Sequence, residues 1–229
     1  VPFSSKAVVT TKSPLTGLYL FSVSSGAIGH CIRKAGFMAI LIRGSSEQPI
    51  YLNISGDTVE FRDARHLWGM SASDTQNALQ QEAGNTGSSA AVIGPGGEKR
   101  IRYAAIMTEG EKFRAFGRGG AGCVMGAKKL KGIIISGKET VLPQDQEAMK
   151  ELKKKVRKGI EENSVWAEGK RKYGTGEDMP FMNQLGMLPT HNWQTGILDE
   201  DKLKGIAPML NSGQWPRKNI SCGPYCPNP

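Results

Sequence analysis

The chain has 229 residues, 38% hydrophobic and 22% charged, with a formal net charge of +9, which suits one large domain or one domain plus part of another. No apolar run approaches the roughly 20 residues of a membrane span, and the stretch from Val1 to Ser13 lacks the basic and apolar segments of an export signal, so a cytoplasmic location is expected. Cys31, Cys123, Cys222 and Cys226 are too unevenly spread for a disulfide scaffold.

In chain order, Ala7 to Thr10 and Leu18 to Val23 predict strands on either side of a turn at Pro14 and Gly17. The second strand leads into a small-residue loop, Ser24-Ser25-Gly26-Ala27-Ile28-Gly29, and then a short helix, His30 to Ala35, capped by Gly36. Phe37 to Arg43 reads as a buried strand, and Ile50 to Ile54 with Thr58 to Phe61 as a hairpin around Ser55-Gly56-Asp57. Ser73 to Ala83 reads as an amphipathic helix starting at Ser73 or Asp74. Ala90 to Ile93 and Ile101 to Met107 follow as strands around a tight turn at Gly94-Pro-Gly-Gly97, and Thr108 to Phe116 reads as a charged loop.

Arg114 to Gly137 is the stretch with the most chemical content. Gly117, Gly119, Gly120, Gly122 and Gly126 lie among Arg114, Arg118, Lys128, Lys129 and Lys131 before an apolar strand at Ile133 to Ile135. Glycine lets the backbone approach a ligand closely, and exposed N–H groups beside basic side chains make an anion receptor, so the stretch predicts an anion cradle. Gly117, Gly119 and Gly122 also satisfy G-x-G-x-x-G. That dinucleotide fingerprint needs a strand leading directly into it, and the charged lead-in argues against it.

Beyond Gly137 the texture changes. Gln144 to Glu162 reads as a helix, and Lys150 to Lys172 holds nine basic and four acidic residues, read as a solvated face. A boundary near Pro143 divides the chain into 1–142 and 143–229. The remainder is punctuated by Pro and Gly and ends in Cys222-Gly-Pro-Tyr-Cys226-Pro227. His30 and His66 read as helix-end or surface residues, Cys31 and Cys123 as small buried ones.

The segment GRGGAGCVMGAKKLKGI (Gly117 to Ile133) resembles the GRGG-x-G-x-VMG-S-K-x-LK-AI segment of the tungsten-containing aldehyde ferredoxin oxidoreductase family. Thr11 to Gly17, Ser24 to Gly29, Ile93 to Glu98, Arg102 to Ile106, Lys172 to Thr175 and Leu188 to Gly196 look like further landmarks of that family, in its order. The resemblance implies an α+β fold: a β-sheet-rich pterin-binding domain followed by the beginning of a helical domain, in a piece of a longer protein.

It also implies a tungsten ion, less often molybdenum, held by two pterins. The phosphate-side residues would be Val23, Ser24, Ser25, Gly26, Arg114, Ala115, Gly117, Arg118, Gly119 and Gly120, with Lys6 a basic residue between pterin and cluster. A magnesium ion between the phosphates would take the backbone carbonyls of Val23 and Ala115. Cys222 and Cys226 resemble the start of the family's four-iron (4Fe–4S) cluster run, with three residues between them where members usually have two; zinc is the rival for a lone cysteine pair. The implied activity is oxidation of an aldehyde to a carboxylic acid, with ferredoxin or another electron-transfer subunit as acceptor and room for a homodimer. A benzoyl-CoA reductase subunit of the same family is the alternative. A basic nucleic-acid-binding protein with a cysteine-bound zinc is the competitor from another class, disfavoured because few aromatics interleave with the lysines.

Overall fold

The computed structural model describes residues 6–84, 87–109, 114–140, 142–163, 168–170 and 174–204. They fall into two compact units, one ending at Gln144 and the other beginning at Asp145.

The first unit opens with an antiparallel ribbon of β1 (Lys6–Lys12) and β2 (Tyr19–Ser25), running in register from Lys6 opposite Ser25 to Lys12 opposite Tyr19. β2 alternates buried and exposed positions: Leu20, Ser22 and Ser24 face inward while Tyr19, Phe21 and Val23 face out, the period of two expected of a half-covered strand. Ser24 and Ser25, expected in a loop, complete this strand, because the ladder with Lys6 and Ala7 continues through them. The chain turns at Gly26 (φ 96°) into α1 (Ile28–Lys34), two residues earlier than expected, and leaves through Gly36 (φ 89°).

A six-stranded mixed sheet follows, in the order β4-β3-β8-β5-β6-β7, built from β3 (Ile50–Ser55), β4 (Thr58–Asp63), β5 (Ser89–Val92), β6 (Ile106–Thr108), β7 (Arg114–Phe116) and β8 (Leu130–Ser136). Only β3 and β8 pair in parallel. β8 is central and buried along nearly its whole length, as its run of apolar residues requires when both sheet faces are covered. On one face Leu52, Ile54, Ile93, Leu130 and Ile135 pack with Leu20 of β2, Ile28 and Cys31 of α1, and Met125 of α4 (Ala121–Ala127). On the other, Tyr51, Val92 and Ile134 pack with Leu67 and with Leu79 of α2 (Ala72–Ala83).

Several local expectations change. The N-cap of α2 is Ser71, whose hydroxyl accepts the Asp74 N–H at 3.2 Å; Ser73 and Asp74 lie inside the first turn. Residues 37–43 form no strand: Phe37, Ile40 and Ile42 lean on the core while Met38 and Leu41 are exposed, so the apolar run packs from one side without entering a ladder. Gly94 to Gly97 carries a four-residue helix, α3 (Pro95–Glu98), because Pro95 suits the first helical position. Only Ile106 and Met107 of the expected strand Ile101 to Met107 join the sheet, with Thr108 completing β6, and the expected loop before Gly117 ends in β7.

The second unit begins with α5 (Gln146–Glu162), where the Asp145 carboxylate accepts the Ala148 N–H at 2.8 Å. Its charges pair along the helix, Glu151 with Lys154, Arg157 with Glu161 and Lys158 with Glu162, and none of its residues is buried. Among the described residues further on are the short helices α6 (Met179–Gln184) and α7 (Glu200–Lys204). Between them His191, Asn192 and Trp193 adopt three successive left-handed conformations inside a Thr190–Thr195 bridge, and Asn183 anchors the return by exchanging two hydrogen bonds with the Leu198 backbone.

Candidate functional site: an anion seat beside a glycine turn

The end of β2, the start of α1, the end of β6 and the start of β7 meet at one corner of the first unit. Ser24 faces inward, and its hydroxyl lies 3.1 Å from that of Thr108, which is fully buried at the end of β6. Ser25, the next residue, receives a 2.6 Å hydrogen bond from Nη1 of Arg114. Nε of Arg114 donates to Oε2 of Glu109 at 3.1 Å, and the Ala27 N–H donates to Oε1 of the same carboxylate. The side chains of Arg114 and Glu109 are only 13% and 8% exposed. A guanidinium and a backbone N–H thus converge on one carboxylate in a place largely closed to water, where charge-assisted hydrogen bonds are strongest.

Lys6 stands opposite Ser25 in the β1–β2 ladder, which brings a basic residue to the same end of the ribbon. Val23 is on an outward-facing position of β2, and Ala115 pairs with Met107 in the β6–β7 ladder, so both residues sit on strands next to the corner.

Arg114 and Ala115 belong to β7, and the turn proper is Gly117 to Gly120. Phe116 buries its ring in the core, which pins the entry. Gly117 and Arg118 are exposed, whereas Gly119 and Gly120 are left-handed (φ 86° and 87°), and the Ser13 hydroxyl donates to the Gly119 carbonyl at 2.8 Å. A Cβ at Gly119 would lie 1.4 Å from Cδ1 of Leu20, and one at Gly120 would lie 2.0 Å from the Arg102 carbonyl oxygen. Gly122 and Gly126 are equally crowded, against the Ala105 and Gly97 carbonyls. Most glycines of the stretch therefore let the chain pack on itself. Gly117 alone among the turn's glycines has open space where a Cβ would go.

The three lysines expected to line the cradle point elsewhere. Lys128 donates to the Gly44 carbonyl at 2.7 Å and Lys129 to that of Glu47, so both tie down the 44–47 segment. Lys131 is fully buried: its ammonium is paired with Glu98 and donates to the Met70 carbonyl at 3.0 Å, and burial pulls its pKa below the ordinary lysine value against the opposing pull of Glu98. Positive charge at the turn comes from Arg114 and Arg118 alone among the basic residues of the stretch.

The dinucleotide fingerprint fails for a reason other than the one expected. A strand, β7, does lead into Gly117 and a helix, α4, does follow, but β7 is separated from β8 by β6 and β5 in a run of antiparallel pairings. β7 and β8 therefore run in opposite directions, and the parallel crossover that presents a dinucleotide to a helix start is not formed.

Glu109 was hidden in the sequence inside a charged run, Thr108-Glu-Gly-Glu-Lys, whose surface reading is the ordinary one. The available signal was its place directly after an apolar strand and opposite a small-residue loop. A second polar cluster, Tyr51 donating to Glu82 at 2.6 Å with Nε2 of His66 2.8 Å from the same carboxylate, lies on the far face of the sheet. Burial pushes the Glu82 carboxyl up, but the bonds from Tyr51 and His66 outweigh it and hold the pKa below the usual range. Cys31 and Cys123 are buried thiols, and burial raises the pKa of Cys31. Cys222 and Cys226 lie outside the described residues, as do Lys172 and Tyr173. Among the described residues no three His, Cys, Asp or Glu side chains gather as a metal site, and no helix is long and apolar enough to cross a membrane.

Residues 1–137 match the family described as aldehyde ferredoxin oxidoreductase, N-terminal domain, and residues 151–228 match aldehyde ferredoxin oxidoreductase, domains 2 and 3. The tungsten-containing aldehyde ferredoxin oxidoreductase of Pyrococcus abyssi (strain GE5 / Orsay) is 40% identical over 199 residues, covering 86% of this chain and 32% of that protein. Its counterpart from Thermococcus kodakarensis (strain ATCC BAA-918 / JCM 12380 / KOD1) is 41% identical over the same shares. The aliphatic sulfonate oxidoreductase, WOR-like subunit, of Pyrococcus furiosus (strain ATCC 43587 / DSM 3638 / JCM 8422 / Vc1) is 34% identical over 218 residues, covering 88% of this chain and 34% of that one. Among solved structures, the active site complex BamBC of benzoyl coenzyme A reductase with 1,5 dienoyl-CoA superposes with a TM-score of 0.65 at 34% identity, over 69% of this chain and 24% of that one. Fold and sequence together place the chain among oxidoreductases. More narrowly, it belongs to the aldehyde ferredoxin oxidoreductase family, and it spans about a third of the length of the curated relatives it matches.

Proposed function

We propose that this chain is the cofactor-holding part of a tungstopterin iron–sulfur oxidoreductase that converts aldehydes to carboxylic acids and passes the electrons to ferredoxin. The observation that carries the reading is the seat at Ala27 and Arg114, where a carboxylate is held by the kinds of donor that a phosphate would use and Arg114 is steadied by its bond to the Ser25 hydroxyl. The residues fit such a group: the Arg114 guanidinium, the Ser25 hydroxyl and the Ala27 N–H converge at one corner, to whose end of the ribbon Lys6 also comes, while Arg118 is exposed in the turn that follows β7. Arg114, Ser25 and the Ala27 N–H would hold one phosphate, with Ser24 and Gly26 shaping the seat. Arg118 and the Gly117 to Gly120 backbone would face another, and the Val23 and Ala115 carbonyls would face the magnesium ion that offsets the remaining negative charge. Cys222 and Cys226 would supply two of the four thiolates of a 4Fe–4S cluster.

When bound, the metal–pterin centre supplies the two-electron chemistry, RCHO + H₂O giving RCOOH with two electrons and two protons released. This chain's own work is to bind and orient that centre through its phosphates. The location expected is cytoplasmic, with a homodimer as the assembly. The superposition on benzoyl coenzyme A reductase favours a second reading, in which the same scaffold serves ring reduction on a CoA thioester; assay of the purified full-length protein with an aldehyde and with an aromatic CoA thioester separates the two.

Arg118→Ala in the full-length protein is expected to fold normally, since the side chain is exposed, and to retain cofactor about ten- to a hundredfold less well, the equivalent of a charge-assisted contact of roughly 1.5–3 kcal/mol. Tungsten content of the purified protein checks this, and a normal content removes Arg118 from the site. Cys226→Ser is expected to lose iron while keeping part of its tungsten; unchanged iron would take Cys226 out of the cluster.

A further inference from the structure

We propose that Glu109 is a built-in competitor for the cofactor's phosphate, an acidic latch that occupies the anion seat until the cofactor displaces it. The inference rests on the reading of Ser25, Ala27 and Arg114 as a phosphate seat. Its own ground is that the seat is filled by the protein itself. The Glu109 carboxylate takes the Arg114 Nε–H with one oxygen and the Ala27 N–H with the other. The space above Gly26 is filled by the same group, since a Cβ built there would come within 2.1 Å of Oε1. A phosphate drawn to these donors meets a like charge already in place, in a site where both members of the ion pair are nearly shut off from solvent and repulsion is little screened.

The backbone is arranged for departure. Glu109 has φ 58°, a left-handed conformation that a non-glycine residue holds only when surrounding contacts enforce it. Its position just past β6 means that a change of backbone conformation there leaves the paired residues Ile106–Thr108 in register. Loading is then an exchange of one anion for another: Arg114 gives up the carboxylate and gains a phosphate, and the seat is never left without a negative partner. The latch would also discriminate, because a monoanion offers Arg114 no more charge than Glu109 does, whereas a phosphate dianion does.

Metal-free inorganic pyrophosphate, titrated calorimetrically into full-length protein produced without tungsten, tests the latch. Glu109→Gln, which keeps the shape and removes the charge, is expected to bind pyrophosphate at least about tenfold more tightly than wild type. Glu109→Asp, which keeps the charge but withdraws it by one methylene, is expected to fall between, and its retained charge guards against a folding defect in the first variant. Equal or weaker binding by folded Glu109→Gln, abolished in both proteins by Arg114→Lys, overturns the latch and leaves the seat standing. Absence of pyrophosphate binding in wild type and all variants overturns the seat, and the latch with it.

Discussion

Lys131→Met is expected to cost about 3–5 kcal/mol of stability, the usual consequence of removing one partner from a buried ion pair. Lys131 is fully buried on the central strand, and its partner, Glu98 at the end of α3, also accepts the Gly69 N–H with both oxygens at 2.9 and 3.0 Å. The loss leaves a carboxylate sealed in without a counter-charge, and it frees the Met70 carbonyl as well. Burial already pulls the lysine's pKa down, so the charged form is held at a cost that only the partners offset. The sign follows: between the lowered folded value and the ordinary lysine value the unfolded chain binds the proton more tightly, so this group's contribution to stability rises with pH across that window. Urea melts of Lys131→Met, Glu98→Gln and the double variant measure the coupling. The double variant should lie within about 1–2 kcal/mol of wild type, because replacing both charges removes the unpaired one. Single variants within about 0.5 kcal/mol of wild type would mean the pair is not closed to water.

How much was legible depended on whether a residue's job was local. The β3–β4 hairpin, β1, β2, α2 and α5 were readable because periodicity, turn residues and charge spacing act within a few positions. Phe37 to Arg43 misled because an apolar run records that something is covered, not that the backbone enters a ladder. Arg114–Phe116 misled in the opposite sense: three residues beside a charged run carry too little pattern to show an edge strand whose partners are supplied by β6. Of the expected site residues, Arg114 and Ser25 meet in the fold, while Arg118 stands exposed in the turn. The three lysines read as part of the basic stretch because composition cannot distinguish a lysine that faces a ligand from one buried on Glu98 or tied to the Gly44 and Glu47 carbonyls. For Glu109 the sequence offered only its place directly after an apolar strand, since its partners come from β7 and from the turn before α1, 82 residues away at Ala27.

The glycine turn supplies the sharper separation of fold from function. Gly119→Val is expected to destabilise the first unit by about 4 kcal/mol or more. The new Cβ would collide with Leu20, a core residue of β2, and a β-branched residue would have to hold φ 86°. Its loss of cofactor would therefore say nothing about a ligand, although glycine in this stretch reads from the sequence as a place where the backbone approaches one. Gly117→Ala asks the cleaner question. Nothing lies within 4 Å of a Cβ there and its φ is not left-handed, so the variant should melt within about 0.5 kcal/mol of wild type. If the open side of the turn is where the cofactor's phosphate meets the backbone, that same methyl intrudes on the ligand, and tungsten content of the full-length variant should drop at least about tenfold with the fold unchanged. Thermal melts alongside metal analysis on both variants give the answer. A Gly117→Ala protein with wild-type stability and wild-type tungsten would move the cofactor's contact away from the turn and leave Gly119 and Gly120 as packing residues only.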